Sequence, residues 1–150
     1  MHGVQSLSVR QVMNSYAQRG VFRSLSESET AAETRFRFRW LWNAPFELAE
    51  DKRSGSLAFK RLLPGIAAGS ALEAGVKSFL ADCQSPDRVE HRRIGFPVTY
   101  SRGTLRMKAG RGNAESAARQ AIQLVNELFT SYLAMHHPQY LAEHYHVPED

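Results

Sequence analysis

Three arginines at alternate positions, Arg35, Arg37 and Arg39, are the residues of this chain best suited to binding chemistry. A guanidinium is permanently charged, and its planar fork of N–H donors matches the oxygens of a phosphate or carboxylate. Through Thr34–Trp42 the arginines alternate strictly with Phe36, Phe38, Trp40 and Trp42. A β-strand sends successive side chains to opposite faces, so the aromatic row closes a core while the arginines stand on the other side. The parity of two further segments, Ser56–Arg61 and Thr104–Lys108, places Lys60, Arg106 and Lys108 on that same side with Ala58. The expected anion-binding set is therefore Arg35, Arg37, Arg39, Lys60, Arg106 and Lys108.

Such a face points to a non-catalytic binding or interaction module that meets an anionic partner, either nucleic acid or an acidic protein surface. The alternative is a small enzyme or ligand-binding domain in which the same side chains hold a carboxylate or phosphate metabolite. A third reading is a homo-oligomer packed through the sheet face. A pocket deep enough for a small molecule favours the second, and a broad flat basic surface favours the first. Phosphate contacts would give affinity without base specificity, and stacking of single-stranded bases needs aromatics on the charged face, whereas here they lie opposite. Internal pairing competes with all of these. Glu47 and Glu50, on the expected neighbouring strand, are its candidate partners, although cross-strand pairs contribute only about 0.2–1 kcal/mol each.

Other residue types capable of chemistry carry less. His136, His137, His144 and His146 lie within eleven residues beside Glu143. Imidazoles ligate first-row metals, but the spacing is not a helical i,i+4 pair and no Cys-based or His-Glu-x-x-His pattern accompanies it. The expectation is a polar terminal helix docked by Tyr132, Tyr140 and Tyr145, with no metal or cofactor. Gly110-x-Gly112 precedes a helix, yet Glu115 in the first turn would repel an anion there. A loop with positive φ is the better account of that pair. Cys83 is the only cysteine, so no internal disulfide forms, and it reads as a small buried apolar residue. His91, beside Arg92 and Arg93, reads as a surface histidine. No Gly-x-Ser-x-Gly elbow and no clear carboxylate pair is present, so an enzyme is disfavoured without being excluded.

At 150 residues, with 43% hydrophobic and 23% charged residues, the composition fits a single soluble domain over 1–150. No apolar run reaches the length of a membrane span, so no membrane partner is expected, and the lone cysteine fits a cytoplasmic location. The net charge of +4 is unevenly spread. Residues 35–111 carry fifteen basic and seven acidic side chains, residues 1–34 balance three against three, and residues 112–150 hold one basic against five acidic. A basic centre beside an acidic end implies an anionic partner or an internal charge match.

The elements that must position these residues follow from periodicity. Ser8–Gln11 has capping-box spacing, Val9, Val12, Met13 and Tyr16 form a helical stripe, and Gly20 suits a C-cap, which together outweigh the resemblance of this Arg/Ser-rich segment to a transit peptide. Residues 24–29 read as a polar connector. The alternating strand follows and breaks at Asn43-Ala44-Pro45. Phe46–Glu50 then runs back, residues 51–55 turn, and Ser56–Arg61 resumes alternation. Ser70 caps a helix over about 70–82 with Leu72, Val76, Phe79 and Leu80 as its stripe. Arg93-Ile94 and Pro97–Tyr100 read as strands, Arg102-Gly103 as a hairpin turn and Thr104–Lys108 as a strand. A helix over about 114–134 follows, striped by Ala117, Ala118, Ala121, Leu124, Val125, Leu128 and Phe129. Gly55–Lys60 aligns with Gly103–Lys108, and the two helical stripes align with one residue of slippage, so residues 34–84 and 89–134 are candidate half-repeats of strands followed by a helix. The expected fold is α+β: an antiparallel sheet of four to six strands, helices on one face, and extra helices at both ends.

Residues Gly110–Ile122, Gly-Arg-Gly-Asn-Ala-Glu-Ser-Ala-Ala-Arg-Gln-Ala-Ile, resemble the loop and last-helix start of a double-stranded-RNA-binding domain, and the order helix, strands, helix over 8–82 resembles that fold. The family holds phosphates with lysines at that helix start. Here Ala114, Glu115 and Ser116 stand in their place, so no binding residue is carried over.

Overall fold

The computed structural model describes residues 4–40, 44–85 and 94–145, without the side chains of residues 4–8 and Arg111. Six antiparallel strands form one sheet in the order β1-β2-β3-β4-β6-β5: β1 (Arg23–Glu29), β2 (Glu33–Trp40), β3 (Ala44–Asp51), β4 (Leu57–Lys60), β5 (Val98–Ser101) and β6 (Thr104–Met107). The main helices are α1 (Val4–Gln18), α2 (Ala71–Cys83) and α3 (Ala114–Glu127). A π-helical stretch, Leu128–Leu133, leads from α3 into α4 (Ala134–His136) and α5 (Pro138–His144). The α+β architecture expected from periodicity is the one observed.

Alternation decides the sheet. Phe36, Phe38 and Trp40 are buried, Phe36 opposite Leu48 and Phe38 opposite Phe46 on β3. Leu57 and Phe59 continue this layer on β4, and Leu105 and Met107 on β6. The whole α3 stripe, from Ala117 to Phe129, packs against the layer. Its alanines let the helix approach the sheet closely, while Leu124, Val125, Leu128 and Phe129 fill the space beyond.

Several local expectations need correction. α1 begins at Val4, so Ser8 lies inside the helix and not at its start. Its other end follows the Schellman pattern: Gly20 adopts φ +80°, its N–H donates to Ala17 O, and the Val21 N–H donates to Tyr16 O at 2.9 Å. Residues 24–29 belong to strand β1, which lies at the sheet edge with nearly every side chain in solvent. A bulge between Arg23 and Ser26, with Ser24 at φ +56°, ends its regular pairing. Strand β3 includes Ala44 and Pro45 instead of breaking there, and Pro97 and Ile94 lie outside β5. Gly110 and Gly112 do not take positive φ; Arg111–Asn113 form a 3₁₀ turn that enters α3. Leu41, Trp42, Asn43, His91, Arg92, Arg93 and His146 lie outside the described residues.

Other expectations hold. Ser70 caps α2 by accepting from the Glu73 N–H, while Glu73 accepts from the Gly69 N–H, a reciprocal capping box. Arg102 (φ +51°) and Gly103 (φ +79°) make the tight β5–β6 hairpin, whose handedness matches the strand twist. Gly103 O also accepts the Leu62 N–H at 2.6 Å, fastening the segment that leaves β4 to this hairpin. Cys83 is buried, as are Tyr140 and Tyr145; Tyr132 is half-buried.

Candidate anion-binding cleft

The sheet register places Arg35, Arg37, Arg39, Lys60 and Arg106 on the face away from α3. Arg35, Arg37 and Arg39 oppose Ala49, Glu47 and Pro45 on β3, and Lys60 follows Glu47 across on β4. Arg106 opposes Ala58 and Thr99, and Lys108 continues its parity beyond β6. Arg37, Arg39, Arg106 and Lys108 are exposed, Arg35 and Lys60 partly so.

Two carboxylates share this face. Glu47 accepts from Arg37 Nε at 3.2 Å and lies 3.8 Å from Arg35 Nε. Glu33 pairs with Arg35 and, at 3.2 Å, with Lys60 Nζ. The Arg35 hydrogen bond holds the Glu33 carboxyl below its usual range against the opposing pull of burial. Internal pairing thus accounts for Arg35, Arg37 and Lys60 in part. Glu50 lies on the other face by register, opposite Thr34, and both are buried in the core layer at 1% and 0% exposure. Among the described residues no carboxylate pairs with Arg106 or Lys108.

Three of the six cations converge further. The last β3–β4 pair is Glu47 with Lys60, after which β4 leaves the sheet and Pro45 and Phe46 have no β4 partner. Arg61, at φ +54°, turns the chain away toward Pro64. A cleft of about 450 Å³ opens in the gap. Arg37, Arg39, Lys60 and Arg61 line it together with Glu47, Ser24 and His144, and Phe38, Pro45, Phe46, Pro64 and Tyr145 supply its apolar side. Arg35, Arg106 and Lys108 do not reach it. Among the described residues, two of the three non-glycine residues with positive φ, Ser24 and Arg61, line this one cleft, and such backbone strain clusters at functional sites.

Comparison with protein-family models, curated proteins and solved structures finds no match. The resemblance at Gly110–Ile122 to a double-stranded-RNA-binding domain therefore receives no support beyond its own residues.

The far wall of the cleft is built from the C-terminal helices. Tyr145 stacks on Phe46 with centroids 6.0 Å apart and meets Phe129 edge-on at 4.9 Å. Tyr140 Oη donates to Pro64 O at 2.6 Å, and His144 lies on the Tyr140 ring with its Nε2 against Gly65. Burial pushes the phenols of Tyr100, Tyr140 and Tyr145 up, Tyr100 to about 12. A raised folded-state value means that stability is complete below pH 10, where the unfolded phenol still holds its proton, and falls as pH rises toward 12. Chemical denaturation followed from pH 8 to 12 should therefore show a midpoint that is flat to about pH 10 and drops above it, with a smaller drop in Tyr100→Phe.

Arg61 is the cleft residue that the sequence alone does not place. Strand parity stops where φ turns positive, so alternation says nothing about a side chain one residue past the strand. Its position three residues before Pro64-Gly65, where the chain must leave the sheet, is the available signal.

Proposed function

We propose that this chain is a binding domain that holds a small carboxylate or phosphate ligand in the cleft at the end of β2, β3 and β4. The observation that carries this reading is the convergence of Arg37, Arg39, Lys60 and Arg61 on one concavity, where Glu47 is the carboxylate among the described lining residues. The cleft has the size of small-molecule sites. Guanidiniums set around a concavity bind an anion better than the same charges on a flat surface, because the low-dielectric walls weaken solvent screening.

The test is calorimetric titration with pyrophosphate, as a compact polyanion, at low salt. The wild-type chain should bind. Arg39→Gln should weaken binding by about threefold, of the order of an exposed charge pair, while Arg106→Gln, on the same face but outside the cleft, should leave it unchanged. No heat in the wild type overturns the reading.

A second reading rests on Arg106 and Lys108, which are exposed without a carboxylate partner among the described residues. It takes the whole open face as a contact surface for a longer polyanion such as nucleic acid, with charge giving affinity and no base being read. That reading wins if Arg106→Gln weakens binding as much as Arg39→Gln does. Duplex DNA should then bind with a log–log salt slope of roughly −4 to −5, as about four to six phosphate contacts require.

A further inference from the structure

We infer that the ligand of this cleft is bipartite, an anionic head joined to an apolar body, and that bare inorganic anions occupy only part of the site. The inference rests on the cleft reading above and specifies its ligand class. Two features of the lining support it. First, the lining is mixed: Arg37 and Arg39 from β2 and Lys60 and Arg61 from the end of β4 flank β3 on the open-face side. Among them lie apolar surfaces: Pro45, the cross-strand neighbour of Arg39, and Pro64 are exposed, and Phe46 and Tyr145 also line the cleft. A cavity lined by both cations and apolar surface matches a molecule with an anionic part and an apolar part.

Second, the size is wrong for an ion alone. At about 30 Å³ per water, the 450 Å³ cleft holds the equivalent of about fifteen waters. A single phosphate at the arginines would leave most of that volume to solvent, with the proline and aromatic surfaces still wetted. An apolar body seated against Pro45, Pro64 and Tyr145 displaces that water while the head keeps its guanidinium contacts.

The rings are held too firmly for the floor to be a passing gap. Phe46 is packed by Phe38, Trp40, Phe129 and Tyr145, with centroids between 5.6 and 6.0 Å. Tyr145 is fixed by Phe46 and Phe129, and the Pro64 carbonyl by Tyr140. Both walls are thus formed before a ligand arrives, which lowers the ordering cost of binding.

The experiment compares three probes by calorimetry at pH 7 and low salt: inorganic phosphate, 1-naphthyl phosphate, and the neutral 2-naphthol. The expected order is 1-naphthyl phosphate about tenfold or more tighter than inorganic phosphate, with 2-naphthol weakest. Arg61→Gly should weaken 1-naphthyl phosphate severalfold and leave the fold intact, because glycine takes φ +54° without strain. Equal affinity for the two phosphates overturns the bipartite ligand while leaving the anion cleft standing. Binding of 2-naphthol as tight as that of 1-naphthyl phosphate overturns the charged head. If neither phosphate binds, the cleft reading itself fails.

Discussion

Replacing Phe129 with alanine should cost about 3–5 kcal/mol of folding stability, the range for deleting a fully buried phenylalanine and leaving a cavity. Phe129 has no exposed surface, and it stands at the centre of the group that shapes the cleft. Its ring meets Phe46 edge-on at 5.6 Å and Tyr145 edge-on at 4.9 Å. It lies in the π-helical stretch that follows α3, where the widened turn carries Leu128, Phe129 and Leu133 into the core. The substitution therefore removes core volume and the support of the cleft wall at once. A double-mutant cycle with Tyr145→Ala should be non-additive by about 0.5–1.5 kcal/mol, the coupling expected of an edge-to-face aromatic pair. Urea denaturation of the four proteins measures both quantities. A loss below about 1 kcal/mol, or strict additivity, would mean that the C-terminal helices dock independently of β3 and that the cleft has no fixed far wall.

That wall was legible in the sequence as residue types and not as a site. The Leu124–Phe129 stripe and the buried tyrosines follow from helical spacing and from the apolar bodies of Tyr140 and Tyr145. What brings them to Phe46 is the π-helical stretch, whose extra residue per turn leaves no mark in a periodic pattern already apolar on both sides. Strand β2 was readable because its alternation is complete over Thr34–Trp40. Strand β1 was not, because Arg23-Ser-Leu-Ser-Glu-Ser-Glu is polar at nearly every position: as an edge strand it buries little, and only pairing with β2 makes it a strand. For Glu50, residue type alone did not show which face it takes: register sets it against Thr34 in the core layer, so strand parity decides its side. The side of the sheet taken by Arg35, Arg37, Arg39, Lys60 and Arg106 depends only on parity within strands. The cleft depends on where β4 stops and where Arg61 turns, both decided by tertiary contacts such as the Leu62–Gly103 hydrogen bond.

Glu47→Gln should tighten binding of a small anion by about tenfold at low salt, an effect opposite in sign to every arginine substitution in the cleft. Among the described residues Glu47 is the only carboxylate in the lining, and it opposes a ligand in two ways. Its charge repels an incoming anion directly, and its carboxylate occupies Arg37 at 3.2 Å, a donor the ligand must take over. Glutamine removes the charge and accepts from Arg37 only as a neutral group, so both penalties fall together. Tenfold corresponds to about 1.4 kcal/mol, more than a single exposed charge usually contributes, because exchange and repulsion act at the same place. The change in folding stability should stay within about 1 kcal/mol, since Arg35 keeps Glu33 and Arg37 is well exposed at 58%. Glu29→Gln supplies the control. It makes the same change in net charge, but Glu29 is on the helix side, held by Arg10 and by Lys52 at 2.8 Å. If affinity rises equally in both variants, the effect is one of overall charge and the cleft has no special part in it. If it rises only in Glu47→Gln, and the gain shrinks as salt is added, the anion sits where Glu47 now stands guard over Arg37.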